Sequence, residues 1–277
     1  ICFSNMDIIL GGLGSDTLTG ANVDATWDLN PANYQYTVNP TLDFVSFETL
    51  IGGNQADIFN IIGARVESLQ GGPGDDSFVF ADGATISTAI QGGIGSDTLD
   101  YSGYTTPVTV NLATGALGGG VGTVSGIENI AGGQANDSLT GDSGNNVLTG
   151  GPGVDTLAGG LGNDTYRFEA GWGIDNPIIE KAAEGNDTFD FSALTSALTF
   201  NISSITVSDG VSIAQYTGGH IENLIGGSGN DSFIFANGRT LSGQIDGQAG
   251  TDTLDLSAYT ANLTTRISGL GNIDGMA

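Results

Sequence analysis

The sequence predicts an all-β chain, a right-handed parallel β-solenoid of about thirteen coils. Three observations predict it. Glycine-led turns begin at Gly11, Gly52, Gly71, Gly92, Gly132, Gly150, Gly226 and Gly247, spaced by about 18 to 21 residues or multiples of that. Apolar and polar residues alternate behind the turns as strands require, and the one segment with any helical character is Ile178 to Glu184, long enough for a single short turn. From Gly132 to Arg167 the chain is a run of nonapeptides without spacer, GGQANDSLT, GDSGNNVLT, GGPGVDTLA and GGLGNDTYR.

The nonapeptide explains the rest. Its first residue is Gly, its fourth Gly or Ala, its sixth Asp or Asn, and its eighth a large apolar residue. Glycines allow a tight turn and leave main-chain carbonyls uncovered. The residues after the turn form a short strand whose inward side chain is Leu139, Leu148, Leu157 or Tyr166. One apolar residue per unit cannot bury a core alone, so the units must stack. Stacking crowds the turn carboxylates, and a hard cation with several oxygen ligands relieves that crowding. Metal-free Asx turns are the simpler alternative.

The pattern GGxGxDx(Leu)x resembles the haemolysin-type, or RTX, calcium-binding nonapeptide repeat. The resemblance implies that calcium binds between stacked turns of a parallel β-roll. The tandem segment then supplies Asp137, Asp155 and Asp164 as metal ligands; its second copy departs, with Asp142 in place of a glycine and the neutral Asn146 at the sixth position. Outside that segment the sixth positions are Asp16, Asp57, Asp76, Asp97, Asp231 and Asp252, and the turn at Asn186 and Asp187 fits the same ladder.

In chain order, GGLGSDTLT from Gly11 is a full match, and Gly20 to Asn39, with Trp27, Tyr34 and Tyr36, reads as strands joined by a loop. GGNQADIFN from Gly52 is degenerate; the turns from Gly71 and Gly92 are regular. Behind them Phe78 and Phe80 face one way, as do Leu99 and Tyr101, Val108, Val110 and Leu112, and Leu198, Phe200 and Ile202. Residues 67–112 align without a gap on 222–267, with roughly half the positions identical, which is a duplicated module. Two nonapeptides make one coil, so the gaps from Gly11 to Gly52 and from Gly92 to Gly132 are each expected to hold two coils. At ~4.8 Å per coil the stack is ~60 Å long.

Asp7, Glu48, Glu67, Glu128 and Glu222 each lie four residues before the first Gly of a turn. Either they join cation sites or they face solvent, and the solvated face is the expectation.

Composition sets the partners. The chain has 277 residues, 47 Gly, and 31 Asp plus Glu against 5 Lys plus Arg, for a formal charge of -26. Such a surface argues against nucleic acid and acidic lipid headgroups and in favour of cations. Hydrophobic residues make up 39%, enough for a continuous core. Cys2 is the only cysteine and His220 the only histidine, so there is no internal disulfide and no His pair for zinc, and His220 is expected to be exposed and inert. Asp75 and Asp76 recur as turn residues rather than as a catalytic pair, and Tyr101, Tyr104 and Tyr259 are expected to pack.

No apolar run reaches the ~18 residues of a membrane span, and no leader is visible. Ile1 in place of an initiator Met suggests a processed chain or an excerpt. Both ends read as uncapped, which favours end-to-end self-association or continuation in a longer chain. The resemblance implies export. The expected function is a non-enzymatic, extracellular, calcium-dependent structural protein of a surface layer, adhesin or filament. The alternatives are an RTX secretion module of a secreted enzyme and a ligand-binding or ice-binding segment.

Overall fold

The computed structural model describes residues 7–38, 41–65, 67–118, 122–180, 185–202, 204, 206–217, 221–237 and 241–260. Among them every regular element is a β-strand, so no helix is long and apolar enough to cross a membrane. The strands fall into a 13-stranded sheet, a 15-stranded sheet and a two-stranded one. The chain alternates between the two long sheets, and most neighbours within each are parallel. In the tandem segment Ser138–Thr140 and Val154–Ala158 lie in the longer sheet, Val147–Thr149 and Thr165–Arg167 in the other. Ser138 pairs with Thr156 and Val147 with Thr165, so each strand meets its parallel neighbour two nonapeptides later, as the spacing predicts.

The long gaps do not hold pairs of plain coils. Between Gly11 and Gly52 the strands Ala25–Asn30, Asn33–Thr37 and Thr41–Val45 form an antiparallel meander. A second meander, Thr109–Asn111, Ala116–Leu117 and Thr123–Ser125, fills the gap before Gly132. A third comprises Thr199–Asn201, Thr206–Ser208 and Ile213–Thr217. Antiparallel strands share the period-two pattern of parallel ones, so alternation alone cannot separate them. Because each meander adds three strands to one sheet, strand number does not count windings.

The core lies between the sheets. Leu139, Leu148, Leu157 and Tyr166 are all fully buried, as the eighth-position rule requires. Larger rings continue the column: Trp27 stacks on Phe59 at 5.5 Å and Phe59 on Phe78 at 5.1 Å, while Phe168 with Phe191 and Phe200 with Phe233 stack at 4.1 and 4.3 Å. Phe80, Val108, Val110, Leu112, Leu198 and Ile202 are buried too. Tyr101 is buried against Phe80, and Tyr104 packs edge-on to it.

The duplicated segments sit on opposite sheets. Ser77–Phe80 and Thr98–Asp100 belong to the 13-stranded sheet, while their counterparts Ser232–Ala236 and Thr253–Ala258 belong to the 15-stranded one. A shift of half a coil is enough, because each face of the winding makes the same use of an inward apolar residue. Ile178 and Ile179 end the strand Ile174–Ile179 rather than starting a helical turn; residues 181–184 lie outside the described residues, as do Cys2 and His220.

Candidate metal centre

The turn aspartates point inward. Asp57, Asp76, Asp97, Asp137, Asp155, Asp164, Asp187 and Asp231 are buried, Asp16 is half-buried, and Asp252 is exposed. Each strand begins within one residue of its sixth-position residue, which places that carboxylate where one coil passes over the last.

Stacked turns are joined through these side chains. The backbone N–H of Asp57 donates to Asp76 Oδ1 at 2.8 Å, and that of Asp76 donates to Asp97 Oδ1 at 2.8 Å. Asp137 N–H donates to Asp155 at 2.7 Å, Asn146 N–H to Asp164 and Asp164 N–H to Asp187 at 2.8 Å, and Asp231 N–H to Asp252 at 2.9 Å. Fifth-position side chains reach the other way: Asp75 accepts from Ser96 N–H at 2.8 Å, Asn145 from Asn163 at 2.8 Å and Asn163 from Asn186 at 2.9 Å. Adjacent turns are thereby tied in both directions.

Two kinds of turn result. In the first turn of a stack the outer carboxylate oxygen accepts from the second residue of its own turn. Gly53 N–H donates to Asp57 and Gly133 N–H to Asp137 at 2.6 Å, and Gly227 N–H donates to Asp231 at 2.8 Å. Asp137 and Asp231 also accept from Val108 and Leu198 N–H, which satisfies both of their oxygens. In later turns the second and fourth glycines adopt the left-handed region, as at Gly93 with φ +131 and Gly153 with φ +155. There one buried oxygen each of Asp76, Asp97 and Asp155 has no hydrogen-bond partner, and neither does one oxygen of Asp57 in the first turn from Gly52.

Burial is the main reason these carboxyls resist ionisation, with neighbouring carboxylates adding to it. It pushes Asp76 and Asp155 up to about 6 and Asp97 up to about 7. The backbones of successive turns also approach so closely that a side chain at Gly93 or Gly95 would overlap the carbonyl oxygens of Gly72 or Gly74. Orphaned carboxylate oxygens and uncovered carbonyls are the donor set of a hard cation.

The glutamates expected to face solvent join the same column. Where a turn lacks its Gly pair, Glu supplies the acceptor: Asp16 N–H donates to Glu48, Asp97 N–H to Glu128 and Asp187 N–H to Glu222, each at 2.8 Å. Glu67 is buried and accepts from the Tyr34 hydroxyl at 2.7 Å, with Arg65 at 3.9 Å. Asp7 is exposed. A Glu128→Ala change leaves the buried Asp97 N–H without an acceptor and is expected to cost about 1–3 kcal/mol; Glu128→Gln keeps an acceptor and should recover most of it. Thermal unfolding of the two variants measures the difference.

Two buried acids escape the spacing rule. Asp175 stands against Asp155 in the ladder, and its carboxyl is pushed up to about 9 by burial and by the Asp155 charge. Gly171 and Gly173, four and two residues before it, were the available signal. Glu180 is 2% exposed, and burial together with Asp187 and Asp164 pushes it up to about 8.

Comparison with known proteins agrees with this geometry. The family model of the RTX calcium-binding nonapeptide repeat matches in four copies, over residues 4–22 and 126–166. The chain carries RTX calcium-binding repeats. Calcium is the ligand expected at these RTX turns. A second family model, the C-terminal region of M10 serralysin peptidases, matches residues 178–259. No curated protein matches the chain. Among solved structures, the extracellular lipase LipA from Serratia marcescens aligns with 19% identity and a TM-score of 0.25, covering 64% of this chain and 39% of the lipase. The chain thus spans well under half of that lipase.

Proposed function

We propose that this chain is a calcium-folded, non-catalytic module of a secreted protein, a right-handed β-solenoid that is loose where calcium is scarce and rigid outside the cell. The observation that carries the proposal is the set of buried carboxylate oxygens left without a hydrogen-bond partner at Asp57, Asp76, Asp97 and Asp155, the last three in later turns of a stack. An unpaired buried charge is costly, and a bound cation removes that cost. In this reading Asp76, Asp97, Asp155, Asp164 and Asp187, with carbonyls of the turns beneath them, hold calcium. Asp137 and Asp231, with both oxygens satisfied, close the first turn of their stacks; Asp57 begins a stack but keeps one oxygen without a hydrogen-bond partner for the ion, and Asp16 and Asp252 stand at more open turns. Bound calcium supplies the positive charge that lets neighbouring coils share a column of acids.

Far-ultraviolet circular dichroism of metal-free chain during a calcium titration tests this. A cooperative gain of β signal at roughly 10⁻⁴ to 10⁻³ M calcium is the expected result. A full β signal that chelation leaves unchanged would overturn it.

The match over 178–259 supports the coarser role of a secretion module. The 13- and 15-stranded ladders support a finer one, a stiff segment of a surface layer, adhesin or filament that joins end to end. Light scattering that stays flat in saturating calcium, with micrographs of single particles only, would count against the finer role.

A further inference from the structure

Glu180 occupies a place where the repeat has glycine. Ala158 pairs with Ile179, so Glu180 follows one coil after Gly159, the first residue of its turn. A side chain at Gly159 would overlap the carboxylate of Asp164, which is why that place is normally bare. Glu180 fills it from the next coil. One of its oxygens accepts from the Tyr166 hydroxyl and, at 3.3 Å, from Gly159 N–H. Its other oxygen is buried without a hydrogen-bond partner. Carboxylate oxygens of Asp164, Glu180 and Asp187 all lie within 4.8 Å of one another, and all three residues are buried.

We propose that Asp164, Glu180 and Asp187 form a divalent-cation site in which Glu180, from the next coil, supplies a third carboxylate to the two turn aspartates. The size is compatible: three oxygens around an ion with bonds of about 2.3–2.6 Å lie up to ~4.0–4.5 Å apart, so oxygens within 4.8 Å of one another need to draw in by a few tenths of an ångström at most. The chemistry fits as well. Three buried carboxylates at this spacing repel one another, and the unpartnered Glu180 oxygen belongs to the residue that the nonapeptide does not call for. Glutamate is needed here because its extra methylene carries the carboxylate from the end of strand Ile174–Ile179 across to the two turn aspartates. The proposal shares Asp164 and Asp187 with the calcium-turn reading and adds Glu180 to it.

The test uses the whole chain. Calcium stoichiometry by calorimetry is expected to fall by one ion in Glu180→Gln, with the remaining binding intact. Terbium luminescence excited through tyrosine is expected to lose a component in Glu180→Gln and again in Tyr166→Phe, because Tyr166 lies against the site. Unchanged stoichiometry and emission in Glu180→Gln, while the parent chain still binds calcium, would overturn this site and leave the turn reading standing. A parent chain that binds no calcium would overturn both. If Glu180→Gln fails to fold, Glu180→Asp, which keeps the charge but draws the carboxylate back from the two turn aspartates, decides: loss of one ion supports the site and full stoichiometry overturns it.

Discussion

Gly93→Ala is expected to unfold the stacked turns, at a cost above about 4 kcal/mol, the range reserved for severe core lesions. Gly93 holds φ +131, and a Cβ there would overlap the carbonyl oxygen of Gly72 in the turn beneath. Neither backbone can retreat, since Asp76 N–H is bonded to Asp97 Oδ1 at 2.8 Å and Gly74 N–H to the Ile94 carbonyl at 2.8 Å. Gly83 provides the control: it is also left-handed, with φ +70, but nothing lies within 4 Å of its missing Cβ. Gly83→Ala is therefore expected to cost only the ~1–2 kcal/mol of a left-handed alanine. Thermal midpoints read the contrast, at roughly 2–4 °C per kcal/mol for a chain of this size. Equal losses in the two variants would mean that turn-to-turn contact is not what requires glycine at Gly93.

In the absence of metal, the folded chain is expected to be more stable at pH 5 than at pH 8. The raised carboxyls set the sign. Asp76 and Asp155 titrate at about 6 and Asp97 at about 7 when folded, against 3.8 for an ordinary Asp. Between 3.8 and those values the folded state holds protons that the unfolded chain has released, so stability falls as pH rises through the window and is greatest below it. Self-repulsion at a formal charge of -26 acts in the same direction.

One carboxyl raised by about two pKa units, at ~1.4 kcal/mol each, corresponds to a midpoint shift on the order of 5–10 °C. Calcium reverses the trend. It binds the deprotonated carboxylates, so its stabilisation is fullest above about pH 7 and is lost as pH falls through the same window. Unfolding curves of dialysed chain with and without excess calcium, at pH 5 and pH 8, should cross. A metal-free chain that is less stable at pH 5 would show that the turn carboxylates are ionised and satisfied without metal.

Much of the site is legible in the repeat. Asp57, Asp76, Asp97, Asp137, Asp155, Asp164, Asp187 and Asp231 share one repeat position and share one buried setting. What the repeat does not show is how differently they are served. Asp137 and Asp231 receive two backbone N–H groups each, while Asp76 and Asp97 are left with an orphan oxygen, because that outcome depends on which turn lies beneath. Glu48, Glu128 and Glu222 read as a solvated row, since a lone acid beside an Ile or Phe gives no sign that its carboxylate replaces the one a missing turn would have supplied.

Glycine at a turn, an acid five residues on and an apolar residue two beyond that are local requirements, so the sequence alone determined the winding unit, its inward Leu139, Leu148, Leu157 and Tyr166, and its taste for cations. Strand direction and strand height are not local. Only the tertiary structure decided that three gaps close as antiparallel meanders, that the two copies of the duplicated module lie on opposite sheets, and that Glu180 meets Asp164 and Asp187. The reason is that period-two alternation is the same in either strand direction and on either sheet, and that neighbours in a stack are chosen by which coil lies beneath rather than by which residue comes next.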